Sequence, residues 1–537
     1  MHPPGYSAAR PRAPNHEAAQ AAERSRVKRD LLRILCSAAA LAGLAGVLYA
    51  TPHGIGLSPD SLGYLGGARS LLAGAGFSAP ATGRAITQHA PLYSWLLALA
   101  AFPSSDPAAA ARWLSAIIFA VNILLLVLLV RAAFGDGPAW TGPLAGLLAL
   151  SSAPMWHVHL MAWSEPLFIG LCLAAVWSFA SHLAVSRKSR LYASAAATAL
   201  AMLARYAGLS MWLALGTLLL FSKTGPMRRR LADLVGFSVV CLVPFLLLLV
   251  RNHLAGGSAT NRTAAFHPVT RAQLHEGLAT VSSWWMVPAA APGWIKAAVV
   301  GAAGAACAAA LVSWSRTRRE SAAGHRRSGL PPAVTVSAWS AAAYGAFLLL
   351  SISIADANIP LDHRTLAPLL ALLLAPCLFA WHALWTRAQR LPARALLLAA
   401  AALFVTGGWS ASVPWLRESH AEGIGFNNVR WRNSDIVRAL RASPAAGPIY
   451  SNAPDGIAYW TGREAKRIPA RYSKMTRRPD PRFAQEMERL RRDLASGAIL
   501  VYFRRIGAGS DAEVDALIRE LELRPGSFHD DGIIYAR

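Results

Sequence analysis

Acidic side chains are in short supply in this sequence: 537 residues carry 28 Asp and Glu against 53 Lys and Arg, and charged residues of both signs amount to only 15%. A soluble chain of this length is expected to divide into several domains with charged surfaces, and so little charge argues against that class. Cysteine is equally sparse. Cys36, Cys172, Cys241, Cys307 and Cys377 all fall inside apolar blocks and none forms a CxxC pair. That excludes a disulfide framework and a Cys-based zinc site, and it leaves the cysteines as small core residues, silent on redox compartment. No internal repeat of fixed period is present either; the abundant Ala is a compositional bias of helices.

Apolar residues are plentiful, at 54%, and they are gathered in long blocks. A hydrocarbon core about 30 Å thick takes roughly 20 apolar residues per helix. Blocks of that order fall near 31–50, 110–133, 138–154, 164–185, 191–204, 207–222, 231–250, 294–314, 333–354, 365–385 and 394–414. The fold class is therefore an α-helical polytopic membrane protein with about eleven transmembrane helices. The pair over 191–222 is short and interrupted by Arg205, so it reads either as two spans or as one merged or re-entrant element.

Residues 1–30, rich in Pro, Ala and Arg, read as a disordered basic cytoplasmic tail. The block from Leu31 is long for the apolar core of a signal peptide and lacks an A-x-A site, so it reads as an uncleaved helix. The net charge of +25 suggests nucleic acid only until its distribution is considered. Clusters at 187–190, 228–230, 316–327 and 387–394 all fall on the cytoplasmic side if the N-terminus is inside and the spans alternate. No nucleic-acid partner is implied; the basic segment from Arg417 onward suits anionic lipid headgroups or a phosphorylated substrate.

This topology puts a long loop, 51–109, outside. It holds amphipathic stretches over 61–73 and 91–102, suited to the membrane interface. Residues 31–414 form the membrane domain. From 415 to 537 the composition turns polar, and apolar runs at 448–450, 498–503 and 533–535 alternate with a helical pattern over 511–523, predicting a small C-terminal α/β extracytoplasmic domain.

A few ionisable residues sit at the outer edges of these blocks. Asp60, in Ser58-Pro59-Asp60-Ser61, either caps the helix beginning at Ser61 or offers a carboxylate that takes a proton from a hydroxyl. Glu165, in Trp163-Ser164-Glu165-Pro166-Leu167, either favours a helix N-terminus or has a functional role at a depth where charge is costly. His157 and His159 precede it; an H-x-H pair without a fixed third ligand is a weak metal pattern. Arg205 interrupts apolar sequence and needs a partner, either a carboxylate such as Asp60 or Glu165 or a phosphate clamped bidentately. Asp362-His363-Arg364 repeats the placement before another span. Together they predict a charged site at one end of the bundle.

These residues stand in motifs that resemble the GT-C superfamily of membrane glycosyltransferases, especially the bacterial relatives of protein mannosyltransferases and aminoarabinose transferases. The resemblance rests on Ser58-Pro59-Asp60-Ser61-Leu62-Gly63-Tyr64, Gln88-His89-Ala90-Pro91-Leu92-Tyr93, Ser164-Glu165-Pro166-Leu167-Phe168, Ala204-Arg205-Tyr206-Ala207-Gly208 and Asp362-His363-Arg364-Thr365-Leu366-Ala367-Pro368. The segment from Ile449 to Arg463 is similar to the external domain of bacterial members. A single Asp-Ser stands where protein mannosyltransferases have Asp-Glu, and His89-Ala90-Pro91 where relatives often have two prolines.

What the resemblance implies is inverting sugar transfer from a polyprenyl-phosphate donor to a cell-envelope glycan, lipid or protein, in the bacterial inner membrane. Asp60 is then the base, assisted by Glu165. Arg205 and Arg364 meet the departing phosphate, and Tyr64, His89 and His363 bind substrate. No metal or other cofactor is required. A glycan ligase or polymerase is the neighbouring enzyme reading; a lipid-glycan transporter or a noncatalytic receptor is the alternative of a different class.

Overall fold

The computed structural model describes residues 16–537 apart from 81, 103–104, 136, 223–224, 322–328, 444–446 and 505–510. Runs of Ala, Leu and Val with few helix breakers form the long helices α1 (His16–Ala50), α4 (Pro107–Phe134), α7 (Glu165–Val185), α10 (Met227–Gly256), α12 (Gly293–Ser321), α13 (Pro332–Ile354), α14 (His363–Arg387) and α15 (Leu391–Glu422). Among the described residues these eight have the length and composition to cross a membrane. The chain is a multi-pass membrane protein.

Between them lie shorter helices: α2 (Pro59–Leu72), α3 (Leu92–Ala101), α5 (Thr141–Ser151), α6 (Ala153–His159), α8 (Lys188–Ala204), α9 (Leu209–Phe221) and α11 (Arg271–Ser283). Three of the eleven expected spans are thus too short to cross alone. The block at 138–154 breaks at Ser152, which leaves the helix and caps α6. The pair at 191–222 breaks at Arg205, whose extended backbone and a following 3-10 turn, Tyr206–Gly208, separate α8 from α9.

Three further expectations need correction. Residues 1–15 of the expected tail lie outside the described residues, but 16–30 continue α1 as helix. Helix α15 runs past Pro414 to Glu422 because its last turns have a partner, His420 stacking on Tyr49 of α1 at 4.2 Å. Cys172 and Cys241 are buried, whereas Cys377 is exposed; an outer face of such a bundle meets hydrocarbon, so an apolar residue there needs no protein cover.

Helix α14 is the most enclosed of the eight, with 72% of its most apolar stretch buried against 6% for α12. It begins at the same end of the bundle as α7 and the α8–α9 break. The basic residues Arg187–Arg190, Arg228–Arg230 and Arg387–Arg394 collect at the opposite end, where Lys188 pairs with Asp233.

After α15 come α16 (Val429–Arg432), α17 (Asp435–Ala442), β1 (Ile449–Ser451), α18 (Pro454–Thr461), β2 (Ala465–Arg467), α19 (Phe483–Ala495), β3 (Ile499–Phe503), α20 (Asp511–Glu520), β4 (Arg524–His529) and β5 (Gly532–Ala536). The sheet order is β2-β1-β3-β5-β4, with β1 parallel to β2 and β3 and the β3–β5 and β5–β4 pairs antiparallel. Strand β3 is apolar throughout because side chains alternate between two covered faces. Leu500 and Tyr502 pack with Met487 and Leu490 of α19. Val501 and Phe503 join Trp431 and Ile436 in a core that also takes in Tyr64 and Leu65 of α2 and Tyr93 and Leu97 of α3. The C-terminal domain and the first loop therefore share one interior.

A short ladder reinforces that junction. The segment Ile55–Leu57 lies between Leu160–Ala162 and Ile424–Phe426, through Gly56 N–H to Leu160 O (2.9 Å), Ala162 N–H to Gly56 O (2.9 Å) and Phe426 N–H to Leu57 O (2.9 Å). Gly425 has φ +60° and its backbone sits so close that a Cβ there meets Leu57 O at 1.9 Å. Gly425→Ala is expected to lower stability by about 2 kcal/mol or more, through both backbone strain and steric displacement. Thermal unfolding in detergent measures it, and an unchanged midpoint contradicts the tight junction.

Candidate active site

The ladder delivers the chain directly to Ser58 and Asp60. Ser58 caps α2 in a reciprocal pair with Ser61, Ser61 N–H donating to Ser58 Oγ (3.4 Å) and Ser58 N–H to Ser61 Oγ (3.0 Å). Trp163 Nε1 donates to Ser58 Oγ at 2.7 Å. The capping role open to Asp60 in the sequence is therefore filled by Ser58, and Pro59 takes the first helical position. Asp60, in the first turn, keeps its carboxylate free for other partners.

That partner is Arg364, whose Nη2 lies 2.7 Å from Asp60 Oδ2. Arg364 also bonds through Nε to Glu165, and Arg205 Nη1 reaches the same Glu165 oxygen at 2.8 Å. Both guanidinium groups converge on Oε1, while Oε2 is buried without a hydrogen-bond partner. The Glu165 side chain is 2% exposed, Arg205 26%, Arg364 20% and Asp60 41%. A buried carboxylate between two arginines is costly to desolvate and strongly attracted once in place; its removal leaves two charges unpaired. The Arg364 guanidinium also lies over the Trp163 ring at 4.1 Å.

Asp60, Tyr64, His89, Arg205 and Arg364 line one cavity of about 440 Å3. Burial alone raises the pKa of Asp60, but the positive charge of Arg364, with a smaller contribution from Arg205, outweighs it and holds the carboxyl below its ordinary value. Tyr64 is pushed up to about 12, first by burial, so its phenol stays protonated and hydrogen-bonds Ser164 Oγ at 2.8 Å. Arg205 Nη1 donates to that same Ser164 Oγ at 3.1 Å. His89 tilts against Tyr64 at 4.6 Å, and burial lowers its pKa, favouring the neutral imidazole. Its ring fits only because residue 63 is glycine: a Cβ there meets His89 Nε2 at 2.8 Å.

The remaining sequence candidates lie elsewhere. Glu165 does not line the cavity; it lies behind it, paired with Arg205 and Arg364, which do. His363 is likewise absent from the lining, its ring 5.8 Å from that of His157 and its Nδ1 buried without a partner. Asp362 caps α14, accepting from Thr365 N–H at 3.0 Å. His157 stacks on Trp415 at 4.6 Å. His159 is fully buried, with one ring nitrogen against Met155 O (2.6 Å) and the other against Asn122 (3.0 Å). Both its nitrogens are engaged by protein, and among the described residues no group of three His, Cys, Asp or Glu is placed to hold a metal ion.

Arg262 and Asp356, which form an ion pair, and Tyr206 and Tyr344 also line the cavity. Asp356 carried much the same signal as Glu165, a carboxylate at the edge of an apolar block, Glu165 at the start of one and Asp356 just past the end of another. Arg262 carried none, because it lies in a polar loop where an arginine is ordinary.

Residues 88–250 match the family model described as dolichyl-phosphate-mannose-protein mannosyltransferase. No curated protein matches the chain. Among solved structures, ArnT from Cupriavidus metallidurans in the apo state is similar with a TM-score of 0.54 at 15% identity, over 94% of this chain and 97% of that one. ArnT from the same organism bound to undecaprenyl phosphate gives 0.53 at 16% identity, over 92% and 96%. The fold is shared over nearly the whole of both chains.

Glu165→Ala is expected to destabilise the protein by about 3–5 kcal/mol, since it strands Arg205 and Arg364 without their common partner. Glu165→Gln is expected to fall in between, keeping shape but losing charge. Unfolding midpoints equal to the parent for both changes sink the idea that this carboxylate organises the site.

Proposed function

We propose that this chain is a membrane glycosyltransferase of the GT-C superfamily, a reading supported by the family-model match and the ArnT-like fold, and that it transfers a sugar from a polyprenyl-phosphate carrier to a hydroxyl of a cell-envelope glycan, lipid or protein. The observation that carries the proposal is the Asp60–Arg364 pair, an ionised carboxylate and a guanidinium 2.7 Å apart on the wall of one cavity. The carboxylate receives the proton of the acceptor hydroxyl as its oxygen attacks the anomeric carbon. The bond from that carbon to the phosphate oxygen breaks, and the electron pair leaves with the phosphate. Attack from the face opposite the phosphate inverts the anomeric centre.

Charge balance explains why one arginine serves both groups. Before transfer, Asp60 carries one negative charge and the sugar-linked phosphodiester another; afterwards Asp60 is neutral and the lipid phosphomonoester carries two. Negative charge therefore passes from carboxylate to phosphate beside Arg364, with Arg205 next to it, and positioned donors of this kind stabilise the transition state more than the ground state. As proposed, the arginines handle this charge and no divalent ion is required. The basic residues at the far end of the bundle favour the cytoplasm, which supports the reading that the site and the C-terminal domain face the other side of a bacterial inner membrane.

Asp60→Asn is expected to reduce transfer from labelled polyprenyl-phosphate sugars by about 10²–10⁴-fold, with binding of the lipid retained. Binding without any bond cleavage by the parent protein favours transport instead. Arg364→Lys, which loses the flat bidentate fork, is expected to cost about 10²-fold.

The pH profile follows from the lowered pKa of Asp60. A depressed carboxyl is ionised and competent above its pKa, and activity falls only as pH drops through it. The acid limb of kcat/KM should lie below the ordinary carboxylate value of about 4. Bound donor adds negative charge beside Asp60, so the limb in kcat should move to higher pH. An acid limb in kcat/KM near neutrality contradicts the assignment.

A further inference from the structure

The cavity has a second polar wall that the transfer chemistry leaves unused. Arg262, between α10 and α11, pairs with Asp356, which follows α13. Asp356 Oδ1 also accepts the Asn358 N–H at 2.9 Å. Thr260, Ser351 and Asn358 complete this part of the lining.

The wall is held from outside the bundle. Arg477, between β2 and α19, donates to Ala357 O at 2.9 Å and to Gln273 Oε1 at 2.8 Å. Ala357 N–H donates to Met475 O at 2.8 Å. Gln273 Nε2 in turn donates to Ala357 O (3.0 Å) and Ile359 O (3.1 Å). Arg477 has φ +53°, a left-handed backbone that a non-glycine residue keeps only where its surroundings over-determine it. The segment bearing Asp356 and Asn358 is thus tied to the C-terminal domain and to α11 at once.

Charge selects the ligand. An arginine on its own suits a phosphate, but Asp356 cancels the charge of Arg262 and repels an anion. The pair and its neighbours instead set donors and acceptors side by side. Sugar hydroxyls, each both donor and acceptor, satisfy that pattern. We propose that the Arg262–Asp356 wall is a subsite for the hydroxyls of a neutral sugar ring, and this rests on the chain being a polyprenyl-phosphate sugar transferase. The ring belongs either to the donor or to a glycan acceptor.

The test uses the full chain, bare undecaprenyl phosphate and a panel of undecaprenyl-phosphate sugars from which the one consumed by the parent protein is taken. Asp356→Asn and Arg262→Gln remove the charges with little change of shape, and Thr260→Val is a milder change for which folding is not at stake. If the ring is the donor's, the first two variants lower the affinity for the glycosylated lipid about tenfold relative to that for the bare lipid phosphate, whose own affinity rises in Asp356→Asn and falls in Arg262→Gln with the charge removed, and Thr260→Val weakens the glycosylated lipid alone. If it is the acceptor's, donor affinity is unchanged and KM for a free oligosaccharide acceptor rises about tenfold. Equal weakening of bare and glycosylated lipid, in any of the three variants, overturns the subsite, as do unchanged donor and acceptor kinetics in all of them. Consumption of no lipid sugar by the parent removes the transferase reading itself, and the subsite with it.

Discussion

Glu165 is where the bundle takes on a large electrostatic cost and recovers it. A carboxylate at 2% exposure is tolerable only with strong partners, and its partners come from two distant places, the α8–α9 break and the start of α14. Because Arg364 then reaches on to Asp60, the same ion network also fixes the first loop. Helix α14 is buried on most sides, so Arg364 stands on a rigid mount. Positions that depend on charge pairing are thereby transferred to side chains on the cavity wall.

The first loop and the C-terminal domain are parts of one construction. Val501 and Phe503 of β3 share an interior with Tyr64 and Tyr93, and the ladder through Gly56, Leu57 and Phe426 runs straight into the cap of α2. Arg477 extends the same domain to the Asp356 segment. Two portions of the cavity wall, one bearing Asp60 and the other Asp356, are therefore braced by residues beyond 420. The C-terminal domain is a structural part of the site.

Electrically, the cavity region is close to balanced. Asp60 and Glu165 match Arg205 and Arg364, and Asp356 matches Arg262. A balanced site suits a reaction that relocates negative charge. It also explains why Asp60, though partly buried, remains ionised: the Arg364 guanidinium beside it stabilises the carboxylate.

Much of this was legible along the chain. Apolar block length marks a membrane helix whatever surrounds it, since the bilayer imposes the same requirement on every span, and the alternation of Ile499–Phe503 with its flanking helices marks an α/β unit by local pattern alone. The scarcity of carboxylates made Asp60 and Glu165 stand out. Local pattern was insufficient wherever a partner was remote. The break of 138–154 at Ser152 depends on how α6 packs, the helical extension to Glu422 on His420 meeting Tyr49, and the distinction between Asp60 facing the cavity and Glu165 lying behind it on where Arg364 stands. Arg262 and His363 make the same point in opposite directions, one unremarkable in sequence yet on the cavity wall, the other set among the motifs yet turned away from it. By itself the sequence determined that the chain enters a membrane and which scarce charges gather at one end of the bundle, because hydrophobicity and helix periodicity are local properties. Only the tertiary structure decided which of those charges face the cavity and which face one another, because a buried ion's role depends on partners remote in sequence.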